Sequence, residues 1–233
     1  MKLGKRLAAL SLGAVMVLSL AACGGDVTPD EAMAYIQGEL DSCYLGKYND
    51  DYLELMDLTA EEAEEQNYVW NTEAEADIMM DAFSMYPTEE TTAEMVELVK
   101  ELYSYSKYEV QSASKLEDGS YAVTVSIEPI DILVQYTEQN DISALWSNML
   151  EKHGIATQED MDAMSDADYE ALENDYAAAI IQGIRDLIPN LGYEPAQSLV
   201  IQLQLEDNVY TMVGTDWQHL DGMIIDYNGQ YAG

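Results

Sequence analysis

The chain has 233 residues, of which 45 are acidic and 9 basic, and its formal net charge is −36 at pH 7. This charge argues strongly against electrostatic binding to nucleic acid or to anionic lipid, and it favours solubility and the attraction of cations. Apolar residues make up 48% of the chain, which is enough to bury a core, so the acidity does not indicate disorder.

The first 22 residues are typical of an export signal. Lys2, Lys5 and Arg6 precede an apolar run over residues 7–20, and small residues follow it. The run has about 14 residues, whereas a membrane-spanning helix needs about 20. A charged start, a short apolar segment and a small-residue cleavage site together predict a secretory signal peptide over residues 1–22.

The cleavage site resembles the lipobox of bacterial lipoproteins. It reads Leu20-Ala21-Ala22-Cys23 and is followed by two glycines. The resemblance implies that the Cys23 thiol receives a diacylglycerol and that Cys23 becomes the first residue. Two acyl chains are sufficient for stable anchoring. The resemblance to the lipobox also implies a tether over residues 23–27 and a location on the extracytoplasmic face of the cell membrane. The alternative is an ordinary signal peptide with a cysteine nearby.

Removal of the signal leaves 6 basic and 45 acidic residues, a formal charge of −39. The chain has two cysteines, so lipidation of Cys23 leaves Cys43 without an internal disulfide partner. Ile36, Leu40 and Cys43 follow helical spacing, which predicts that Cys43 is buried as a small hydrophobic residue.

Capping residues mark the starts of the N-terminal helices. Thr28 and Thr59 each begin a capping box, and Thr88 precedes another helical pattern. The expected elements are a helix from Thr28 to near Gly46, a short helix or turn over Tyr48 to Leu58, a helix from Thr59 to about Tyr86 that Pro87 ends, and a helix from Thr88 to about Ser104.

The hydrophobic period then changes from about 3.6 to 2, which predicts strands. One hairpin is expected with alternating residues at 108–112 and 121–127 around the turn 117–120, and a second with strands at 199–205 and 209–213 around the turn 206–208. Between them, residues 130–190 return to helical period, with one helix to about His153 and later helices capped by Thr157 and Ser165.

This order predicts an α+β fold. N-terminal helices pack on an antiparallel sheet of about four strands, and the helical insertion 130–190 lies between the two hairpins. The length of the chain after the signal suits a single extracytoplasmic domain over residues 28–233.

Several short segments resemble a group of uncharacterised lipoproteins of Gram-positive anaerobic bacteria, which are classed as domains of unknown function. The segments, all as they stand in this sequence, are Tyr35-Ile36-Gln37-Gly38-Glu39-Leu40-Asp41, Tyr44-Leu45-Gly46-Lys47-Tyr48, Lys107-Tyr108-Glu109-Val110, Tyr121-Ala122-Val123-Thr124-Val125 and Asp221-Gly222-Met223-Ile224-Ile225-Asp226-Tyr227. The resemblance implies a lipoprotein with one compact domain, and it brings no catalytic residues. A weaker resemblance is to cystatin-like and nuclear-transport-factor-like domains. The helical segment 130–190 does not match the pattern of those domains.

No catalytic or cofactor motif stands out. Of the two histidines, His153 precedes a glycine at an expected helix end, where the helix dipole stabilises a positive charge. His219 lies near Asp216 and Asp221 without a second nitrogen or sulfur ligand nearby, which disfavours a zinc site. The chain also has 17 tyrosines and one phenylalanine, which we interpret as a thin core with many half-exposed aromatic rings.

The densest group of oxygen ligands lies at residues 159–175, and Asp160, Asp162, Asp166 and Asp168 are its candidate calcium ligands. The segment starts like an EF-hand loop at Asp166. It fails as one, because Ala171 and Ala177 stand where that loop needs glycine and glutamate. Asp160 and Asp168 have a simpler role as partners of the helix caps at Thr157 and Ser165. We therefore assign no metal site and no cofactor.

Three functions remain from the sequence. The first is a membrane-anchored, non-enzymatic binding or envelope-assembly module, and the second is a small-ligand or cation-binding protein. An enzyme without a recognisable motif is the third. The expected partners are the membrane, through the lipid, and an envelope protein or a cation. Nucleic acid is not expected, and we expect a monomer.

Overall fold

The structure is a computed structural model, and it describes residues 17–18, 27–86, 88–206 and 209–232. Cys23, the lipobox and the first four tether residues lie outside the described residues, as does the predicted signal apart from Val17–Leu18. The predicted helix-ending Pro87 and the turn residues Asp207 and Asn208 are also outside them.

The helices are α1 (Pro29–Leu45), α2 (Asp50–Met56), α3 (Ala60–Ala63), a π-helix (Glu64–Val69), α4 (Trp70–Ala82), α5 (Glu89–Tyr103), α6 (Ile132–Gln139), α7 (Ile142–Lys152), α8 (Gln158–Asp162), α9 (Asp166–Leu187), a short 3₁₀ helix (Ile188–Asn190) and α10 (Gly214–Asp221). The strands are β1 (Val17–Leu18), β2 (Lys107–Lys115), β3 (Tyr121–Glu128), β4 (Gln197–Glu206) and β5 (Val209–Met212).

The strands form one antiparallel sheet in the order β1-β5-β4-β3-β2. The two predicted hairpins, β2–β3 and β4–β5, supply its four main strands, and β3 pairs with β4 to join them. The predicted fold class, α+β with an antiparallel sheet of about four strands, is therefore confirmed. The two residues of β1 were not predicted as a strand.

Alternation along β3 decides which face of the sheet is covered. Tyr121, Val123, Val125 and Ile127 are buried, whereas the residues between them are half-buried. A strand with period 2 places these two sets on opposite faces. The buried face packs against the helices, and α1 contacts both β2 and β3.

Strand β2 forms one edge of the sheet. Its pairing with β3 shifts register between Val110 and Ser112, which is a β-bulge at Gln111. Lys107 and Lys115 stand at the two ends of this edge strand. Bulges and terminal lysines are common on natural edge strands, where they hinder pairing with other chains.

Helix α1 lies at the centre of the N-terminal half. It begins with the predicted capping box, in which Glu31 N–H donates to Thr28 Oγ1 at 3.2 Å and Thr28 N–H donates to the Glu31 carboxylate at 2.7 Å. It ends at Gly46, whose φ of 57° is readily adopted by glycine. Because α1 contacts α2, α4, α5 and the sheet, it is buried on most of its circumference.

The helix predicted from Thr59 to about Tyr86 begins at the predicted capping box and then differs in two ways. Residues 64–69 form a π-helix between α3 and α4, and α4 ends at Ala82, four residues earlier than predicted. In a π-helix each N–H bonds to the carbonyl five residues earlier, whereas in an α-helix the carbonyl is four residues earlier. The residues that follow therefore lie on a different face than they would in a continuous α-helix.

The insertion is helical, as predicted, but the helix expected to reach His153 is two helices. α6 ends at Gln139, and Asp141 accepts a hydrogen bond from Ala144 N–H at the start of α7. The predicted caps at Thr157 and Ser165 are confirmed. The long helix α9 packs against α5, α6 and α7.

Gly38 in α1 allows the close approach of α2, and this contact gives a test of the packing. A Cβ atom at position 38 would lie 2.3 Å from Tyr52 Cδ2 and 2.6 Å from Tyr52 Cβ. We expect Gly38→Ala to lower the free energy of unfolding by about 1–2 kcal/mol, because overpacking outweighs the gain of about 1 kcal/mol in helix propensity.

Urea denaturation followed by circular dichroism measures the change. Gly214→Ala is the matched control, since a Cβ atom there meets nothing within 4 Å. Equal stability of the Gly38→Ala variant and the original chain would show that α1 and α2 are not this close.

Candidate functional site

The interior of the N-terminal half contains carboxylates held by tyrosines. Tyr35, Glu39, Ser42 and Cys43 lie on one stripe of α1 at helical spacing, and all four are buried. The stripe faces α2 and the π-helix, and both elements contribute polar side chains to it. We call the buried carboxylates Glu39 and Glu75 and the half-buried Asp221, together with the side chains hydrogen-bonded to them, the acid–tyrosine network.

Glu39 is the first centre of this network. The Tyr52 hydroxyl of α2 donates to Glu39 Oε2 at 2.6 Å, and the Cys43 thiol lies 3.8 Å from Glu39 Oε1. Burial raises the pKa of Glu39 to about 6, although the bonds from Tyr52 and Cys43 partly oppose this rise. The Asn67 amide of the π-helix then donates to the Tyr52 hydroxyl at 2.9 Å and to Ser42 Oγ at 2.8 Å.

Glu75 and Asp221 form the second centre. The Tyr227 hydroxyl donates to Glu75 Oε1 at 2.5 Å, and the Tyr44 hydroxyl of α1 donates to Asp221 Oδ1 at 2.6 Å. Burial, followed by the negative charge of Asp221, raises the pKa of Glu75 to about 7. Burial also raises the pKa of Asp221. Trp217 stacks on Tyr44 with ring centroids 6.1 Å apart.

The described hydrogen bonds to these three carboxylates come from hydroxyl and thiol groups, with no lysine or arginine among the donors. Ion pairs in the described part of the chain lie at the surface instead, as in Lys100–Glu97 and Lys107–Glu128. A buried carboxylate without a cation is more stable when protonated. The network therefore favours proton binding at Glu39 and Glu75.

Cys43 is buried, as predicted. Burial, and next the negative charge of Glu39, raises the pKa of its thiol well above the usual value. The thiolate is the reactive form of cysteine, so this thiol is chemically inert while the protein is folded.

The expectation of half-exposed tyrosines holds for about half of them. Nine of the 17 tyrosines are half-buried or exposed, and eight are buried. Six are almost fully buried: Tyr35, Tyr44, Tyr52, Tyr103, Tyr121 and Tyr136. Tyr44 and Tyr52 donate to carboxylates and Tyr121 donates to the Val27 carbonyl, whereas the Tyr35 hydroxyl has no hydrogen-bond partner among the described residues.

Three of the four candidate calcium ligands have local partners, and the four are not grouped around one point. Asp160 accepts from Thr157 in a capping box, Asp168 accepts from Ser165 Oγ at 2.6 Å, and Asp162 accepts from the Gln158 amide at 2.8 Å. Asp166 is exposed in the first turn of α9. Within the described ranges, no three Asp, Glu, His or Cys side chains are grouped so as to hold a metal ion.

The histidines do not create a reactive centre with their neighbours. His153 ends α7, as predicted, and its Nε2 lies 2.9 Å from Asp175 Oδ2, which also accepts from Lys152 Nζ at 2.7 Å. These hydrogen bonds lower the pKa of Asp175. His219 is exposed on α10, while its neighbour Asp216 accepts from Gln202 N–H at 2.9 Å.

The surface has a broad groove between α4 and α5, with a volume of about 640 Å³. We call it the α4–α5 groove. Carboxylates lie along it, and short side chains of α5 form its floor. Its lining residues are Glu73, Asp77, Thr88, Glu89, Thr92, Ala93, Val96 and Glu97.

A smaller cavity of about 360 Å³ lies where α1 meets the start of β2. Its lining includes Asp41, which accepts from the Tyr108 hydroxyl at 2.9 Å and from the Gln37 amide at 3.0 Å. Lys107 also lines it and lies over the Tyr193 ring, 3.5 Å from the centroid. Ser106 also lines this cavity, and its buried Oγ has no hydrogen-bond partner among the described residues.

Comparison with known proteins identifies no family. No protein-family profile matches the chain, and no curated protein is significantly similar. Among solved structures, the crystal structure of ycdA, a candidate lipoprotein of Bacillus subtilis, is similar with 13% sequence identity and a TM-score of 0.49. The match covers 83% of this chain and 56% of that protein, so this chain spans little more than half its length.

No helix in the described ranges has both the length and the apolar character needed to cross a membrane.

The raised pKa of Glu75 predicts a specific pH dependence of stability. Its pKa is about 7 in the folded protein and 4.5 as an ordinary side chain. The resulting stabilisation is fully present below pH 4.5, and it is lost as the pH rises towards 7. The loss is about 3 kcal/mol, since one pKa unit corresponds to about 1.4 kcal/mol.

We therefore expect Glu75→Gln to lose much less stability than the original chain between pH 4.5 and pH 7.5, as measured by urea unfolding. Glu73→Gln is the control, because Glu73 is exposed on the same helix. Parallel pH profiles for the original chain and Glu75→Gln would contradict the assignment.

Proposed function

We propose that the protein is held on the extracytoplasmic face of the cell membrane by a lipid on Cys23, and that it is a non-enzymatic binding or envelope-assembly module. The lipobox Leu20-Ala21-Ala22-Cys23 supports the anchor. The observation that supports binding is the open α4–α5 groove.

Binding is favoured over catalysis because the reactive groups and the concave surfaces are separate. Glu39 and Glu75, whose pKa values lie near neutrality, are buried, and neither lines the α4–α5 groove or the smaller cavity. A general acid or base must reach its substrate within hydrogen-bond distance. The residues that line the groove are suited to holding a ligand rather than to moving protons.

The anchor can be tested by fractionating cells. We expect Cys23→Ala to move the protein from the membrane fraction to the soluble or secreted fraction, because the thiol that carries the lipid is lost. Cys43→Ala is the matched control and should remain in the membrane, since Cys43 is the buried second cysteine. Incorporation of labelled palmitate should follow the same pattern, and an unchanged distribution of Cys23→Ala would contradict the anchor.

A second candidate function is the binding of a cation. The carboxylates of Glu73, Asp77, Glu89 and Glu97 along one groove attract cations, but no three carboxylates of the described ranges are grouped so as to hold a metal ion. A cation would therefore keep most of its water and be held by the charge of the groove.

We expect a calcium-binding protein to show a higher melting temperature in millimolar calcium chloride than in sodium chloride of matched ionic strength. The variant Glu73→Gln/Asp77→Asn should abolish the difference. Equal melting temperatures in the two salts would exclude this second function and leave the first in place.

A further inference from the structure

We infer that the α4–α5 groove binds a basic amphipathic helix of another envelope protein. The apolar side of that helix would lie on the groove floor, and its lysines or arginines would lie against the carboxylates. The inference rests on the proposed binding function and names the partner chemistry of the same groove.

The floor consists of three short side chains, of which Ala93 and Val96 are apolar, and the Thr92 hydroxyl lies 3.9 Å from Met80 Sδ. Thr92, Ala93 and Val96 are short side chains on neighbouring positions of α5, so they leave a depression between α5 and α4. The lining of α5 extends from Thr88 to Glu97, which corresponds to about 14 Å along a helix at 1.5 Å per residue. This length accommodates about two to three turns of a partner helix.

The carboxylates have a spacing that suits helical cations. Glu73 and Asp77 are four residues apart on α4, so their side chains lie about 6 Å apart. In the part of the chain that the structure describes, no ion pair involves Glu73, Asp77 or Glu89. Glu97 pairs with Lys100 at 2.8 Å, but an exposed pair of this kind contributes little and is easily exchanged.

Trp70 is not among the residues that line the groove, but it is an exposed apolar side chain next to them on α4. It precedes Glu73 by three residues, so it lies on the same side of α4, and it is 48% exposed. Tryptophan contributes strongly to binding when a partner covers it, and its ring also attracts cations. A basic amphipathic helix would both cover the Trp70 ring and place cations near it.

A peptide helix fits the groove better than a lone metal ion does. A metal ion needs carboxylates that converge on one point, whereas these lie on two helices along a groove of about 640 Å³. Ala93, Val96 and Trp70 would add nothing to the affinity for an ion. An amphipathic helix in a groove uses both the floor and the charged sides.

The test uses the lipidated full chain in phosphatidylcholine nanodiscs and a fluorescent 14-residue peptide with leucines on one helix face and lysines on the other. Empty nanodiscs give the background. We expect saturable binding that weakens with added salt, because exposed charges are screened. A peptide of the same composition, scrambled so that leucines and lysines do not segregate, should bind at least tenfold more weakly.

Two sets of variants distinguish binding in the groove from a general attraction between the peptide and the negative charge of the protein. Glu73→Gln/Asp77→Asn/Glu89→Gln/Glu97→Gln should weaken binding at least tenfold, because four exposed pairs of about 0.5 kcal/mol each are lost. Ala93→Trp, which fills the groove without changing charge, should weaken it similarly. The control changes four exposed glutamates elsewhere by the same total charge, Glu138→Gln/Glu151→Gln/Glu159→Gln/Glu170→Gln, and should stay within about threefold.

Circular dichroism and melting temperature verify that each variant is folded. Absence of peptide binding, equal binding of the scrambled peptide, or equal weakening by the two four-residue variants would overturn the inference. Crosslinking in cells shows whether a failure of this inference also contradicts the proposed binding function. A specific partner recovered equally with the original chain and the groove variant would leave the binding module intact and place its site elsewhere.

Discussion

The fold depends on the burial of carboxylates without basic partners. Glu39 and Glu75 lie inside the helical layer, and each must replace the hydrogen bonds that water would have given it. Tyrosine meets this need, because its ring fills the core while its hydroxyl donates to a carboxylate oxygen. The chain has six basic residues after residue 22, so few cations are available to pair with buried carboxylates, and tyrosine hydroxyls donate to Glu39 and Glu75 instead.

Helix α4 contributes side chains both to the buried acid–tyrosine network and to the surface groove. Glu75 points into the acid–tyrosine network, whereas Glu73 and Asp77, two residues to either side, line the α4–α5 groove. Carboxylates on opposite faces of one helix therefore have opposite roles. Inside, the Glu75 carboxylate accepts from the Tyr227 hydroxyl. Outside, the carboxylates have no lysine or arginine partner in the described ranges apart from the pair at Glu97, and they remain available to a ligand.

Local signals in the sequence were sufficient for most of the elements and for the fold class. The caps at Thr28 and Thr59 and both hairpins depend on residues close together in the chain. The π-helix has no such signal. The break at Asn140 has one in the N-cap residue Asp141, which the sequence analysis did not use. The network was missed because helical periodicity assigns glutamate to the exterior. A usable signal was present: Glu39 lies between Ile36 and Cys43, four residues after Tyr35, within the apolar part of α1.

The edge strand β2 has a consequence for two copies of the chain that meet at high concentration. Two copies that extended their sheets by antiparallel pairing of β2 in full register would bring Lys107 of one copy opposite Lys115 of the other. The bulge at Gln111 would interrupt the new ladder near its middle. Like charges at both ends and a break at the centre oppose this contact. This edge of the sheet is therefore a poor template for pairing between two copies of the chain.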